Sequence, residues 1–350
     1  MNHPMGPKKN IDWGSLSFSY LKTDYRFEAT CVDGVWSKGQ VVESEVMTLH
    51  EGAPALHYGQ SCFEGLKAQT AKDGRILLFR PELNNQRMQE SAERLLMPKV
   101  PTELFMEGVE AVIRANLAWI PPYGSGASFY LRPFLIGSGE NLGLRPAKEY
   151  TFRVFASPVG PYYKSGGLKM ISLAVIDVDR AAPLGTGGYK IGANYSGGLM
   201  ATKIAQSLGA NEALYLDPKE RRYLEEAGSA NIILALKGKR FATPKSPSIL
   251  PSVTRRSIVT LAEKELGFSV EERPIDFIAE HGEIEEMGAC GTAAVLSPIG
   301  KVLINDHWYK VGQDSEHPGP IMLDLYNRLT ALQRGERPDP YGWTYEVKLT

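Results

Sequence analysis

Short runs in which apolar and polar residues alternate recur along this chain, interleaved with longer segments of helical spacing. That mixture restricts the fold more than any other feature of the sequence. Alternation over roughly four to eight residues marks a strand with one buried face, and apolar residues three and four apart mark a helix. In the first half Phe27–Val32, Arg75–Phe79, Ser128–Leu135 and Tyr150–Val159 read as strands, and Asn84–Leu96 and Glu103–Trp119 as helices. Pro121–Pro122 stops the second helix. Further on, Ser196–Leu208 reads as a helix closed by Gly209, and Ala213–Leu216 and Asn231–Leu236 as strands. Ser252–Leu266 reads as a helix with Ser252 as N-cap and Gly267 just past its end. The segment Gly160–Leu168, GPYYKSGGL, is the best linker candidate. At 350 residues the chain is longer than one core usually serves. The pattern therefore predicts two mixed α+β or α/β domains, 1–163 and 177–350, joined by a linker at 164–176, and leaves the sheet topology open.

Composition narrows the function class. A formal charge of −1 gives no electrostatic reason to expect nucleic acid or an anionic membrane surface as a partner. Cys31, Cys62 and Cys290 lie far apart and form no CxxC pair, so neither a disulfide framework nor a metal site is expected, and a reducing compartment is. The N-terminal MNHPMGPKKNIDWG has no apolar core behind Lys8 and Lys9, and no apolar run approaches the roughly 20 residues that span a bilayer. A cytoplasmic enzyme is the expectation.

Three constellations carry chemistry. Lys190 stands in GGYKIGANYSGG, a string almost free of other charge, where desolvation lowers a lysine's basicity and makes it nucleophilic. Its flanking glycines permit close approach to a planar ligand, and Tyr195 brings a phenol to the same loop. Glu225-Glu226 opens an apolar strand, where a buried carboxylate needs a cationic partner such as a pyridinium nitrogen. Arg80 in LFRPELN offers a fork for phosphate oxygens, Ser252-Val253-Thr254 opens a helix whose free N–H groups favour an anion, and Gly288–Thr292 is a small-residue turn ending in a hydroxyl. Singly, each has an ordinary reading: a surface lysine, a solvated acidic edge, a plain helix cap. Their joint presence needs another.

The blocks LHYGQSCFEGLKA, LFRPELNNQRM, FYLRPFLIG, YKIGANY, EEAGSANI, LPSVTRRS and GTAAVLSPIG, running in this order from Leu56 to Gly300, resemble those of branched-chain aminotransferases. Lysine precedes glutamate, as in the fold-type IV group of pyridoxal-phosphate enzymes. The resemblance implies the two-domain fold-type IV architecture with the cofactor at the domain interface, substrate-pocket and dimer loops in the N-terminal domain, and a C-terminal cofactor-binding domain. It also implies a homodimer.

By the same resemblance Lys190 is the Schiff-base lysine and Glu226 the partner of the pyridine nitrogen, while Tyr195 bonds the phenolic oxygen. Arg80, the Val253 and Thr254 amides and Thr292 hold the phosphate of pyridoxal 5′-phosphate. Tyr58, Phe63 and Tyr130 wall an apolar pocket, Arg132 meets the side-chain carboxylate of glutamate, and backbone around Ser229 and Ala293 binds the α-carboxylate. Tyr58 is expected to reach into the partner subunit's pocket. The implied reaction moves the amino group of L-leucine, L-isoleucine or L-valine to 2-oxoglutarate. The rivals are another fold-type IV enzyme (a D-amino acid or amine transaminase, or an aminodeoxychorismate lyase) and a non-catalytic protein that binds a phosphate ligand.

Overall fold

The structure, a computed structural model, describes residues 7–160 and 168–349. It forms two compact units. The first is Met1–Lys164 with Lys190–Ala193 and Ala331–Thr350, and the second is Ser165–Tyr189 with Asn194–Thr330. The expected C-terminal domain, 177–350, therefore loses its tail to the first unit, because Thr344–Glu346 pairs antiparallel with Ile76–Phe79. The expected linker, 164–176, contains the strand Ile171–Val175. Most of Gly160–Leu168 lies outside the described residues.

In the first unit the strands run Thr344–Glu346, Ile76–Phe79, Leu66–Thr70, Ser128–Gly137, Glu149–Val159, Arg26–Val32 and Val35–Trp36 in spatial order, every pairing antiparallel. Ser61–Phe63 adds to Ser128–Gly137. From Phe129 to Gly137 burial alternates residue by residue. Phe129 and Leu131 go into the core, and Tyr130 and Arg132 share the other face. The helix Thr102–Ala115 buries Leu104, Phe105, Val109, Val112 and Ile113, with Phe105 stacked on Phe152 at 6.2 Å. The helix Pro81–Arg94 buries polar groups instead: Asn84, Arg87 and Ser91 lie on its inner side beside Met88 and Ala92.

In the second unit Leu224–Ala227, Glu212–Leu216, Ile171–Val175, Val295–Ile304, Ile284–Gly291 and Ala230–Leu236 follow one another, and the last pairs back to the first. Six strands thus close into a ring, which removes both sheet edges at that point. Its neighbours Glu212–Leu216/Ile171–Val175 and Ile171–Val175/Val295–Ile304 are parallel, the rest antiparallel. Leu173, Leu214, Ile232, Leu234, Met287 and Val302 form one buried cluster. The hairpin that closes the ring turns through Gly228 and Ser229, with Gly228 at φ +54°, so Glu226 stands opposite Asn231.

Candidate active site

In the first unit Lys190 is held by its main chain on both sides. Its N–H donates to Ser91 Oγ at 2.9 Å, and its carbonyl accepts the Phe63 N–H at 3.1 Å. Ile191 bridges to Cys62. The Lys190 amine lies 4.6 Å from the centre of the Phe63 ring, and the Arg132 guanidinium lies 4.9 Å from the same ring. Arg132 Nη2 donates to the Tyr130 hydroxyl at 3.4 Å, and its buried Nε has no hydrogen-bond partner among the described residues. Gly65 permits this arrangement: a Cβ there would stand 1.9 Å from the Tyr130 hydroxyl oxygen. Burial lowers the Lys190 basicity to about 8, and the nearby Arg87 charge acts in the same direction.

Arg80 caps the helix Pro81–Arg94 with a left-handed backbone, φ +49°, which costs a non-glycine residue roughly 1–2 kcal/mol. Its N–H donates to the Trp343 carbonyl at 2.8 Å, and its guanidinium stacks over the Trp343 ring at 4.8 Å. Tyr58 ends the short helix Pro54–Tyr58, 43% exposed, and its hydroxyl donates to the Leu142 carbonyl. Exposed Leu56, Leu142 and Leu144 accompany it.

In the second unit Tyr195, Glu226 and Ser229 line one cavity of about 110 Å³, together with Arg180, Asn194 and Tyr215. Glu225 and Glu226 are both buried, which disposes of a solvated acidic edge. They point to opposite faces of their strand. Glu226 pairs with Arg180 Nε at 2.7 Å and accepts from Asn231 Nδ2. Glu225 accepts from the Ser246 and Ser248 hydroxyls. Val253 and Thr254 open the helix Val253–Lys264, whose cap Ser252 accepts the Arg255 N–H at 3.2 Å. Thr292 and Ala293 occupy the turn between Ile284–Gly291 and Val295–Ile304. A larger cavity of about 650 Å³ in the same unit, lined by His281, Glu286 and Lys310 among others, holds none of the predicted site residues.

The structure therefore gathers Phe63, Tyr130, Arg132 and Lys190 in one unit and Tyr195, Glu226 and Ser229 in the other; Tyr58 stands outside both clusters. Gly187 and Gly188 also meet a close neighbour of their own chain: a Cβ on Gly187 would fall 2.4 Å from the Ser248 carbonyl oxygen and one on Gly188 2.6 Å from that of Pro247. Sequence reasoning missed Glu64, Asn84, Arg87 and Ser91 behind Lys190, Arg180 and Asn231 on Glu226, and Trp343 under Arg80. Glu64, Asn84, Arg87 and Asn231 stood inside blocks already singled out; Ser91, Arg180 and Trp343 had no local signal.

A family model described as amino-transferase class IV matches residues 61–302. The branched-chain-amino-acid aminotransferase of Helicobacter pylori is 50% identical over 343 residues, covering 97% of this chain and 98% of its own. The crystal structure of the Escherichia coli branched-chain amino acid aminotransferase is similar at a TM-score of 0.78 and 28% identity, covering 93% of this chain and 100% of that chain. The structure of the Thermobaculum terrenum branched-chain amino acid aminotransferase in its PLP form gives a TM-score of 0.76 at 20% identity, covering 93% and 99%, a likeness of fold. The chain belongs to the class IV aminotransferases. Within that class it is a member of the branched-chain-amino-acid aminotransferase family. No helix among the described residues is long and apolar enough to cross a membrane.

With its pKa lowered by burial to about 8, the Lys190 amine is mostly neutral above that pH and mostly protonated below it. Acetylation of the cofactor-free protein should therefore modify Lys190 with a midpoint near that pH, well below the ordinary lysine value of about 10.4. Quantifying the Lys190 peptide by mass spectrometry across pH checks this; a midpoint shared with exposed lysines would contradict it.

Proposed function

We propose that this chain transfers the amino group of L-leucine, L-isoleucine or L-valine to 2-oxoglutarate, with Lys190 carrying the cofactor. The cofactor is pyridoxal 5′-phosphate, which when bound supplies an aldehyde that condenses with amines and a ring that serves as electron sink. The observation that carries the reading is Lys190 itself: a partly buried lysine with its main chain clamped, its amine beside an aromatic ring and its basicity lowered to about 8.

Within each unit the donor types suit parts of the group. Glu226 is a buried carboxylate able to accept more than one donor per oxygen, and it would keep the ring nitrogen protonated. Tyr195, lining the same cavity, would donate to the phenolic oxygen. Arg80, the amides of Val253 and Thr254, and Thr292 would hold the phosphate. Lys190 Nζ would take the proton from the substrate α-carbon and return it to the neighbouring carbon of the cofactor. Backbone N–H groups around Ser229 and Ala293 would hold the α-carboxylate. Phe63 and Tyr130 would wall the apolar side chain, and Arg132 would receive the γ-carboxylate of glutamate. Cytoplasmic placement is the companion reading, supported by three free cysteines; fractionation of the source cells tests it.

Borohydride reduction of the loaded protein followed by digestion should find the phosphopyridoxyl group on Lys190. A modified peptide carrying it on any other lysine ends this assignment, and a protein that yields none favours the phosphate-binding alternative.

Arg132→Met keeps an apolar stem and removes the cation. The half-reaction with glutamate should slow by about a hundredfold or more, consistent with loss of a charged hydrogen-bond partner, while that with leucine changes by less than tenfold. Equal losses with both donors would make Arg132 structural.

The exposed group of Leu56, Tyr58, Leu142 and Leu144 supports a homodimer in which Tyr58 closes the partner subunit's pocket. Tyr58→Ala and Lys190→Ala chains, each inactive as a homodimer, should regain about half the wild-type activity when combined, provided the sites act independently. Doubly tagged heterodimers no more active than the parents would put both residues in one subunit's site.

A further inference from the structure

One buried ion pair beside Lys190 has no part in the steps above. Glu64 is fully enclosed, and its carboxylate gathers four donors. Arg87 Nε reaches Oε1 at 2.7 Å; Arg87 Nη2 and Asn84 Nδ2 reach Oε2 at 2.8 Å each, and the Gly65 N–H reaches it at 3.2 Å. Both partners are joined to the backbone that seats Lys190. Glu64 follows Phe63, whose N–H meets the Lys190 carbonyl. The Arg87 carbonyl receives the Ser91 hydroxyl at 2.8 Å, and the oxygen of that hydroxyl accepts the Lys190 N–H. A buried ion pair is weak as a stabiliser, since well-packed apolar residues in its place are often at least as stable. Its presence here calls for another role.

We propose that Glu64 and Arg87 are positioning residues for Lys190: a fixed pair of opposite charges beside the amine whose effects there offset one another. This rests on Lys190 being the reacting amine. Arg87 opposes a proton on the amine and Glu64 favours one, and they outweigh the other groups facing it, Tyr130 and Arg132 of the strand Ser128–Gly137. Cys62, on the adjoining Ser61–Phe63, is buried and kept as the thiol, its pKa raised by burial and by Glu64. Without Arg87 the Glu64 carboxylate holds the lysine as an ammonium ion, which is not a nucleophile. Without Glu64 the guanidinium frees the amine at lower pH. The pair thus fixes where the amine stands while leaving its charge state to burial.

The test is the pH profile of Lys190 acetylation in the full-length, cofactor-free protein, read by mass spectrometry. Arg87→Gln should raise the midpoint by about one pH unit, leaving about tenfold less reactive amine at pH 7. Glu64→Gln should lower it by a similar amount, and the double variant should return close to wild type. Shifts of the same sign in the two single variants, or none in either, overturn the proposal. If Arg87→Gln does not fold, Glu64→Gln alone decides, because it keeps the shape and, with its amide oxygen in the place of Oε2, an acceptor for Arg87 Nη2, Asn84 and Gly65, losing the bond from Arg87 Nε: an unchanged or raised midpoint is the negative result. Arg87→Lys, which retains the charge, should shift less than Arg87→Gln, and an equal shift counts against the electrostatic role. A phosphopyridoxyl group found on another lysine would remove Lys190 from the reaction while leaving these titrations unchanged, so the two failures are distinguishable.

Discussion

Buried carboxylates organise both units of this molecule. Leaving one partner of such a pair unmatched costs about 3–5 kcal/mol, comparable to a large share of a domain's stability. Glu64 therefore fixes where Arg87 and Asn84 stand, and so orients the helix Pro81–Arg94 that carries them. The same helix offers Ser91 to Lys190. In the second unit Glu226 imposes a similar demand on Arg180 and Asn231. The hairpin that turns at Gly228 meets it by placing Asn231 opposite Glu226, and that same pairing closes the six-stranded ring. Ring closure and charge compensation are thus two consequences of one turn.

What could be read from the sequence was what local pattern encodes. Strands with one buried face, such as Ser128–Gly137, alternate visibly, and their expected bounds differ from the observed ones by a residue or two. Ile171–Val175 escaped because its middle residues are buried on both faces, which removes alternation, and because it follows a glycine-rich stretch. The helix Pro81–Arg94 begins earlier than its apolar periodicity does, since its inner side is polar; proline at its first position was the better marker. The terminal strand Thr344–Glu346 joins the first unit through a non-local pairing that no window of sequence contains.

The candidate site divides along the same line. Lys190 and Glu226 stood out as candidates because unusual surroundings, few charges around a lysine and paired acids entering an apolar strand, are local properties. Their partners are not. Arg180 lies in an unremarked DVDR string, and only the fold brings it to Glu226. Glu64 and Arg87 sat in noticed blocks, yet nothing in either block says that they touch.

The pocket reading of Arg132 faces an electrostatic difficulty that the geometry addresses. A site that accepts both a branched apolar side chain and a γ-carboxylate must bury a guanidinium beside hydrocarbon for half of each cycle. A cation left there without compensation would be expelled or solvated. Arg132 instead lies over the faces of Phe63 and Tyr130, at 4.9 and 5.4 Å, and donates to the Tyr130 hydroxyl. The negative faces of the two rings supply attraction that does not depend on a bound anion. On the reading proposed above, the guanidinium would keep those contacts when an apolar substrate enters and would need no new partner. When glutamate enters, the Nε hydrogen, unpartnered among the described residues, would be available to its carboxylate. The aromatic wall would then serve both substrates, as apolar surface for one and as the standing counterpart of the cation that the other requires.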